Sequence, residues 1–283
     1  MPDRVVSSSK LTAIANAIRT KAGTQNSMTL DEMPTAIANI PSGGGGTIDL
    51  TGYSGTNWNA AIAPLLDTSG MTDMSNMFYY QTTATSIDVT NFDTSNVTDM
   101  NHMFTDCLAL TSLNLVSFRT SQVTNMEAMF FHCRNLSTIY NLSNLTTSNV
   151  TIMRNMFSYI AYSAQNPISL DLSTFRTSNV TDMLQMFSHA NLQVLDMDNW
   201  DTSNVTEMLN MFLQAFPSGG KMWVPSTFVA NSVQSLNKPF SKDPGGQVQV
   251  YTNATDATTQ GWGTINAHFT MHYNTTHQDF LNA

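Results

Sequence analysis

The chain has 283 residues, of which 41% are hydrophobic, so it can bury a substantial core. Only 11% of its residues are charged, and Ser, Thr and Asn must therefore supply much of the surface. The net charge of −9 and the isoelectric point near 4.8 argue against nucleic acid or an anionic membrane as the main partner. The two cysteines exclude a dense disulfide framework and a four-thiolate zinc site.

The first forty residues differ in pattern from the rest of the chain. Apolar residues in "LTAIANAIR" fall on one helical face, and a second short helix is predicted in "LDEMPTAIANI", with Thr29 and Glu32 as its capping box. We expect residues 1–40 to form a helical attachment or oligomerisation module, because helices this short bury little surface alone. Residues 41–46, "PSGGGG", are predicted to be a flexible linker.

The middle of the chain is built on an internal repeat. Twelve-residue segments of the type "DTSNVTDMNHMF" occur six times, and their Thr-Ser pairs begin at Thr68, Thr94, Thr120, Thr147, Thr177 and Thr202. The steps between them are 26, 26, 27, 30 and 25 residues, and a period near 26 is typical of stacked supersecondary units.

Each repeat predicts a strand, a tight turn and a short helix. Leu110, Leu113 and Leu115 follow L-x-x-L-x-L spacing, and alternate apolar residues at Ile87/Val89, Leu170/Leu172 and Leu195/Met197 indicate a strand with one face inward. After T-S-N-V-T, apolar residues at gaps of three and four (Val97, Met100, Met103, Phe104, Cys107 and Leu110) favour a helix.

Equivalent positions should form columns through the stack. The predicted core comprises Met77, Phe78, Met103, Phe104, Met129, Phe130, Met156, Phe157, Met186, Phe187, Met211 and Phe212. Asn96, Asn149, Asn179 and Asn204 are expected to bond backbone groups at the turns. Asp73, Asp99, Asp182 and Glu207 form an acidic column, interpreted as solvated helix starts.

The segment "NFDTSNVTDMNHMFTDCLALTSLNL" resembles the leucine-rich repeats of the BspA-like family of bacterial surface proteins, which also occurs in phages. The resemblance covers roughly residues 85 to 212 and implies an α/β leucine-rich-repeat solenoid, assigned to residues 47–220, that binds proteins or glycans without catalysis. The first forty residues resemble a helical module of phage tail and baseplate proteins, and this implies attachment to a tail or baseplate protein.

From residue 221 the repeat is no longer visible, and residues 221–283 are predicted to form a mixed α+β cap that covers the end of the solenoid. "KMWVP" and "QVQVYTN" are predicted strands, and "ATDATTQGWGTINAHF" is a predicted helix. Trp223, Trp262, Tyr251 and Tyr273 are concentrated here, so the alternative is a cap that also binds ligand.

Few residues suggest chemistry. His268, His272 and His277 include an H-x3-H pair but lack a neighbouring Glu or Cys, so we expect no metal site. Cys107 and Cys133 occupy the same place in adjacent repeats and are interpreted as buried thiols, with a disulfide as the alternative. No P-loop, dinucleotide fingerprint, G-x-S-x-G or H-E-x-x-H motif occurs, and we expect neither a cofactor nor catalysis.

The functional hypothesis is therefore a phage tail or baseplate adhesin, located on the virion, that recognises a bacterial cell-wall polysaccharide or surface protein. No export signal or membrane-inserting segment is seen in the sequence, which favours this location over the alternative, a bacterial cell-surface adhesin or interaction module. Tail adhesins are often homotrimers, and a homotrimer is therefore the assembly that we would test for this chain. A cell-wall glycosidase is a remote third hypothesis.

The candidate binding residues are aromatic, because sugar rings stack on Tyr and Trp. The loop "SYIAYSAQNPIS" is four residues longer than its counterparts, and insertions in repeats often lie on the working face. The predicted contacts are Tyr79, Tyr80, Tyr140, Tyr159, Tyr162, Trp223 and Trp262.

Overall fold

Successive coils of the chain stack as a parallel β-solenoid. The computed structural model describes residues 48–49, 63, 66–233 and 238–283. The predicted helical module at residues 1–40 and the linker at residues 41–46 lie outside the described residues. Among those that are described, no helix has the length and apolar character needed to cross a membrane.

The strands are short and all pair in parallel. They are β1 (Ile48–Asp49), β2 (Leu66–Asp67), β3 (Ser112–Asn114), β4 (Thr138–Tyr140), β5 (Ile168–Asp171), β6 (Leu192–Asp196), β7 (Gly220–Val224), β8 (Val248–Thr252) and β9 (Phe269–His272). β1 pairs with β2, β3 with β4, and β5 to β9 form one five-stranded sheet in chain order. Each strand of the last sheet therefore lies directly beside the strand of the next coil.

The strand pattern in the sequence corresponds to the observed ladder. Leu170 pairs with Leu195, and Met222 pairs with Val250. These side chains are buried, because alternate residues of a strand point to one face and that face is the interior. Ile87 and Val89 are also buried, although their segment forms no assigned strand.

A buried threonine fixes each corner after the strand. The Oγ1 hydroxyl of Thr94 donates to the carbonyl oxygen of Arg119 and accepts from its N–H, at 3.0 and 2.7 Å. Thr147 makes the same pair of bonds to Arg176. One hydroxyl thus satisfies both backbone groups of a residue in the next coil, as buried polar groups require.

The asparagine column behaves as the sequence predicted. Asn96, Asn149, Asn179 and Asn204 each donate through Nδ2 to the carbonyl of a serine in the preceding coil, at 2.7 to 3.1 Å.

The helix predicted after T-S-N-V-T is wrong, and a run of tight turns takes its place. The N–H groups of Met74, Asn76 and Phe78 donate to carbonyls of the next coil, whereas those of Met77 and Tyr79 close turns three residues back. An α-helix needs every N–H bonded four residues back. The strand-turn-helix unit is therefore a strand-turn-turn unit, which keeps the apolar gaps of three and four.

The acidic column likewise starts no helix. Asp73, Asp99 and Asp182 each accept the N–H two residues later, at 2.8 to 2.9 Å, which is a local turn motif. The same positions pair in parallel from coil to coil, from Asp73 through to Glu207. These carboxylates therefore stabilise the first turn of the run of turns in each coil.

The core consists of stacked columns. All twelve Met and Phe residues of the predicted core are fully buried. Successive Phe rings from Phe78 to Phe212 lie 5.5 to 5.7 Å apart in offset-stacked arrangement, and Phe240 continues the column 5.5 Å beyond Phe212. Such pairs add about 0.5–1.5 kcal/mol each beyond the area that they bury.

The two cysteines belong to the same core and are both free. Their Sγ atoms approach the carbonyl oxygens of Phe78 and Phe104, at 3.2 and 3.0 Å. Burial raises the pKa of the Cys133 thiol well above its usual value. The prediction that Cys107 and Cys133 are buried thiols rather than a disulfide is therefore confirmed.

The C-terminal region extends the sheet. The segments predicted as strands form β7 and β8, whereas "ATDATTQGWGTINAHF" forms turns leading into β9, so the predicted helix there is wrong. Helices in the described part of the chain are a 3-10 turn at Leu142–Asn144 and α1 (His277–Asn282). Thr276 and Asp279 form a capping box at the start of α1.

Candidate binding surface

One position in each coil carries a side chain on the outer edge of the solenoid. It lies two residues after the stacked Phe and is occupied by Tyr80, Asp106, His132, Tyr159 and His189 in successive coils. All five have φ between 56° and 61°, and each N–H donates to a carbonyl of the next coil. Because the backbone repeats, these side chains line up about 4.8 Å apart.

Aromatic rings converge on Tyr159 in this column. We call Phe131, His132, Tyr159, Tyr162 and His189 the aromatic row. The Tyr159 ring stacks on His189 with centroids 4.6 Å apart and planes within 4°. It meets His132 edge-on at 4.6 Å, Tyr162 at 5.4 Å and Phe131 at 6.2 Å. Each ring restrains its neighbours, so the aromatic row is a preformed surface.

The enlarged loop is held against the preceding coil. Ala161 N–H donates to the Cys133 carbonyl at 3.1 Å, and Ser163 N–H donates to the Arg134 carbonyl at 2.8 Å. These bonds frame Tyr162, whose side chain stands out at 51% exposure. The insertion therefore presents an aromatic ring beside Tyr159.

Polar groups surround the aromatic row. His132 Nδ1 lies 3.0 Å from Asp106 Oδ1, and His189 Nδ1 lies 2.9 Å from the Ser188 hydroxyl. Burial lowers the pKa of His189. The Arg134 guanidinium carbon lies 5.9 Å from the centre of the Tyr159 ring. The surface thus combines aromatic faces with both hydrogen-bond donors and acceptors.

The structure separates the tyrosines predicted as binding residues into three places. Tyr159 and Tyr162 are in the aromatic row, while Tyr79 and Tyr80 stack on each other at 6.0 Å. Tyr80 is in the same column as Tyr159 but three coils earlier, or about 15 Å away. Tyr140 ends strand β4 and is 56% exposed, on a different side of the coil.

The two tryptophans predicted as binding residues, Trp223 and Trp262, are in the interior. Trp262 is fully buried and donates through Nε1 to the Phe228 carbonyl at 2.8 Å. Trp223 is 2% exposed, bonded to Asp198 and covered by His277 and Phe280 of α1. Neither presents a face to a ligand, because packing and a hydrogen bond already occupy each ring.

The three C-terminal histidines have separate partners. His268 meets Asp243 at 2.8 Å, His272 meets Gln249 at 2.8 Å, and His277 meets Asp196 at 2.7 Å. The H-x3-H pair is not on a helix: His268 directly precedes β9, and His272 is its last residue. Within the ranges that the structure describes, no group of three His, Cys, Asp or Glu side chains could hold a metal ion.

Phe131, His132, His189 and Arg134 were not singled out by the sequence analysis. The signal that could have found them is the position two residues after the repeated M-F pair, where His132, Tyr159 and His189 align. The alignment was overlooked because this position carries different side chains in successive repeats, whereas the Met, Phe and Asn columns repeat the same residue.

Comparison with known proteins identifies one family. The family model described as "Mycoplasma protein of unknown function, DUF285" matches residues 53–170 and 140–243, which include the aromatic row. No curated protein and no solved structure matches the chain.

Proposed function

The chain belongs to the DUF285 family, and on this premise we propose that it is an adhesin that recognises a saccharide of a bacterial surface through the aromatic row. The observation that carries this proposal is the preformed cluster of partly exposed rings around Tyr159, beside the enlarged loop that carries the exposed Tyr162.

The chemistry of the surface suits a saccharide. Sugar rings present C–H faces that pack on aromatic side chains, and their hydroxyls need hydrogen-bond partners. Tyr162 supplies an exposed face, and Asp106 and the imidazoles of His132 and His189 supply polar atoms nearby. The surrounding repeats offer Ser, Thr and Asn rather than charges. A surface that repeats from coil to coil fits an extended polymer.

The place where the adhesin is displayed is proposed from the sequence. We favour a phage tail, attached through residues 1–40, with the bacterial surface as the alternative. Antibodies raised against the purified chain separate these two outcomes: decoration of virion tails supports the first, and labelling of uninfected cells supports the second. Labelling of neither would remove both locations.

The binding role is tested with Tyr162→Ala in the full chain. We expect the purified protein to bind isolated bacterial cell-wall polysaccharide, and the variant to bind about tenfold more weakly, as loss of a central aromatic contact usually costs more than 1 kcal/mol. Binding is measured by isothermal titration calorimetry against a panel of wall polysaccharides and intact cells.

The matched control is Tyr140→Ala. Tyr140 is 56% exposed and Tyr162 51%, but Tyr140 lies outside the aromatic row, so its removal should leave the affinity unchanged. Equal losses in both variants would show that the aromatic row is not the binding surface. Absence of binding to every polysaccharide and cell preparation would refute the adhesin proposal itself.

A further inference from the structure

The bonding of Arg134 differs from that of the other arginines in the described part of the chain. Arg119 and Arg176 donate through Nη1 to nearby carbonyls, and Arg154 pairs with Asp182. Arg134 Nε is buried and has no hydrogen-bond partner. Its guanidinium carbon instead lies beside the ring of Tyr159.

The other charged groups leave Arg134 uncompensated. Among the described residues, none of the ion pairs involves Arg134. The nearest acidic partner in the column, Asp106, already contacts His132 at 3.0 Å. A buried guanidinium N–H without an acceptor is unfavourable, and structures usually satisfy such a group with water, an ion or a ligand.

A second unsatisfied group lies on the far side of the enlarged loop. Asn191 Oδ1 is buried without a partner, and the Asn191 N–H donates to the carbonyl of Ile160 at 3.0 Å. Arg134, on the near side, accepts the N–H of Ser163. The coils on the two sides of the loop that carries Tyr162 therefore each contain one buried polar atom without a hydrogen-bond partner.

We propose that Arg134 binds an anionic group of the saccharide that packs on the aromatic row. This inference rests on the proposed function and adds the class of ligand to it. Arg134 has a planar fork of N–H donors that matches a carboxylate or a phosphate. Both groups share this chemistry, so the ligand is an acidic polysaccharide.

The net negative charge of the protein disfavours an anionic ligand, so binding of one would require specific contacts at Arg134. With a net charge of −9, the chain repels a polyanion at long range. Binding must therefore come from short-range contacts at a site with an unpaired cation. Affinity should fall as salt is added if the ion pair forms, since salt screens the contact.

The test compares Arg134→Gln with the wild-type full chain. The probes are polygalacturonate, its methyl-esterified neutral form, and poly(glycerol phosphate), each titrated calorimetrically. We expect the wild type to bind at least one anionic polymer more tightly than the neutral one. Arg134→Gln should lose about tenfold or more in affinity for that polymer and keep its affinity for the neutral one.

The two anionic probes distinguish the source of the charge. Preference for polygalacturonate assigns a carboxylated sugar, and preference for poly(glycerol phosphate) assigns a phosphate-bearing wall polymer. Arg119→Gln, which removes a charge bonded only to nearby carbonyls, is the control and should leave all affinities unchanged. Arg134→Lys should bind the anionic polymer with intermediate affinity, because it keeps the charge but not the fork.

The inference and the proposed function fail differently. If wild type and Arg134→Gln bind anionic and neutral polymers alike, the role of Arg134 is overturned while the adhesin proposal stands. If no polysaccharide or cell surface binds the wild type, the adhesin proposal itself is overturned. Urea unfolding of each variant checks its fold, and if Arg134→Gln does not fold, the Arg134→Lys comparison decides.

Discussion

The corner threonines show how single side chains determine the stacking of the coils. Thr94 is fully buried, yet its hydroxyl is satisfied by both backbone groups of Arg119 in the next coil. The adjacent Ser95 is exposed, and its N–H donates to the carboxylate of Asp93. The repeated T-S pair therefore has two separate roles: threonine joins coils, and serine completes the turn within a coil.

His189 makes stability depend on pH. Burial lowers its pKa below the value of about 6.5 that it has in the unfolded chain. Above about pH 7.5 both states are neutral and the group contributes nothing. As pH falls through 6.5, the unfolded state takes up the proton first, so the free energy of unfolding decreases until the folded pKa is passed.

We therefore expect His189→Gln to lose less stability than the wild type between about pH 7.5 and about pH 5.5. The measurement is the free energy of unfolding from urea titrations of both proteins at each pH. Because other groups titrate alike in both, the difference between the two slopes isolates His189. Parallel slopes would contradict the prediction.

The candidate site could be predicted only in part from the sequence. Tyr159 and Tyr162 were found because the lengthened loop is visible as a break in the period. His132, His189 and Arg134 were missed, because their proximity to Tyr159 depends on the register of neighbouring coils at positions where the residue type is not repeated. Trp223 and Trp262 were included because composition alone does not distinguish a buried ring from an exposed one.

At the scale of elements, the run of turns explains why the sequence predicted a helix. Apolar residues three and four apart point to one side in a helix, and also in successive turns that close three residues back. The two differ in backbone handedness: one position of the turns has positive φ in all six repeats, and it is Asn76, Asn155 and Asn210 in the first, fourth and sixth. Asn tolerates that conformation, but His102, Ala128 and Gln185 occupy it in the other three repeats, which weakens the sequence signal for it.

Gln185 provides a test of this element. Its φ is 54°, and its N–H donates to Leu209 of the next coil at 3.0 Å. A β-branched side chain is strained there, so Gln185→Val should lower the free energy of unfolding by about 2 kcal/mol. In a helix the same change would cost only a few tenths of a kcal/mol.

The matched controls are Gln185→Asn and Gln122→Val. Asn accepts the left-handed conformation, so the first should keep wild-type stability. Gln122 is exposed and is not among the residues with positive φ, so the second should change stability by less than about 0.5 kcal/mol. Urea denaturation measures all three. A loss for Gln185→Val as small as that for Gln122→Val would contradict the described turns.

At the scale of the whole molecule, the solenoid continues beyond the visible repeat. Phe240 extends the Phe column, and β7, β8 and β9 extend the sheet that begins at β5. Ala230, Val233 and Phe240 have the spacing of Thr202, Val205 and Phe212 in the preceding repeat. The repeat is not visible there in the sequence because Ala230 replaces the corner Thr. Inward alternation could be predicted because it depends on local apolar spacing, and parallel pairing could be predicted because the repeat returns each strand in the same direction.

A solenoid whose coils contact only their neighbours should tolerate the loss of one whole coil. Deleting the 26 residues from Thr94 to Arg119 joins Asp93 to Thr120 and places Thr120 where Thr94 had been. Phe78 then meets Phe130, and the strand, corner and turn columns all remain in register. We expect a folded protein with one cooperative transition and a smaller dependence of the free energy of unfolding on urea, because less surface is exposed on unfolding.

The control for this deletion removes the 13 residues from Thr94 to Asp106 instead. It eliminates Phe104 and joins Asp93 to Cys107. The shortened coil then lacks the corner threonine Thr94 and the run of turns that follows it. The Phe column would be interrupted and the hydroxyl of Thr68 would lose its place in the ladder, since its partner Asp93 could no longer lead into a corner. We therefore expect the shorter deletion to abolish the cooperative transition, although it removes half as many residues. Equal stability of the two deletions would show that the coil is not the unit of folding, whereas the expected order would show that register between coils, rather than the number of residues, holds the solenoid together.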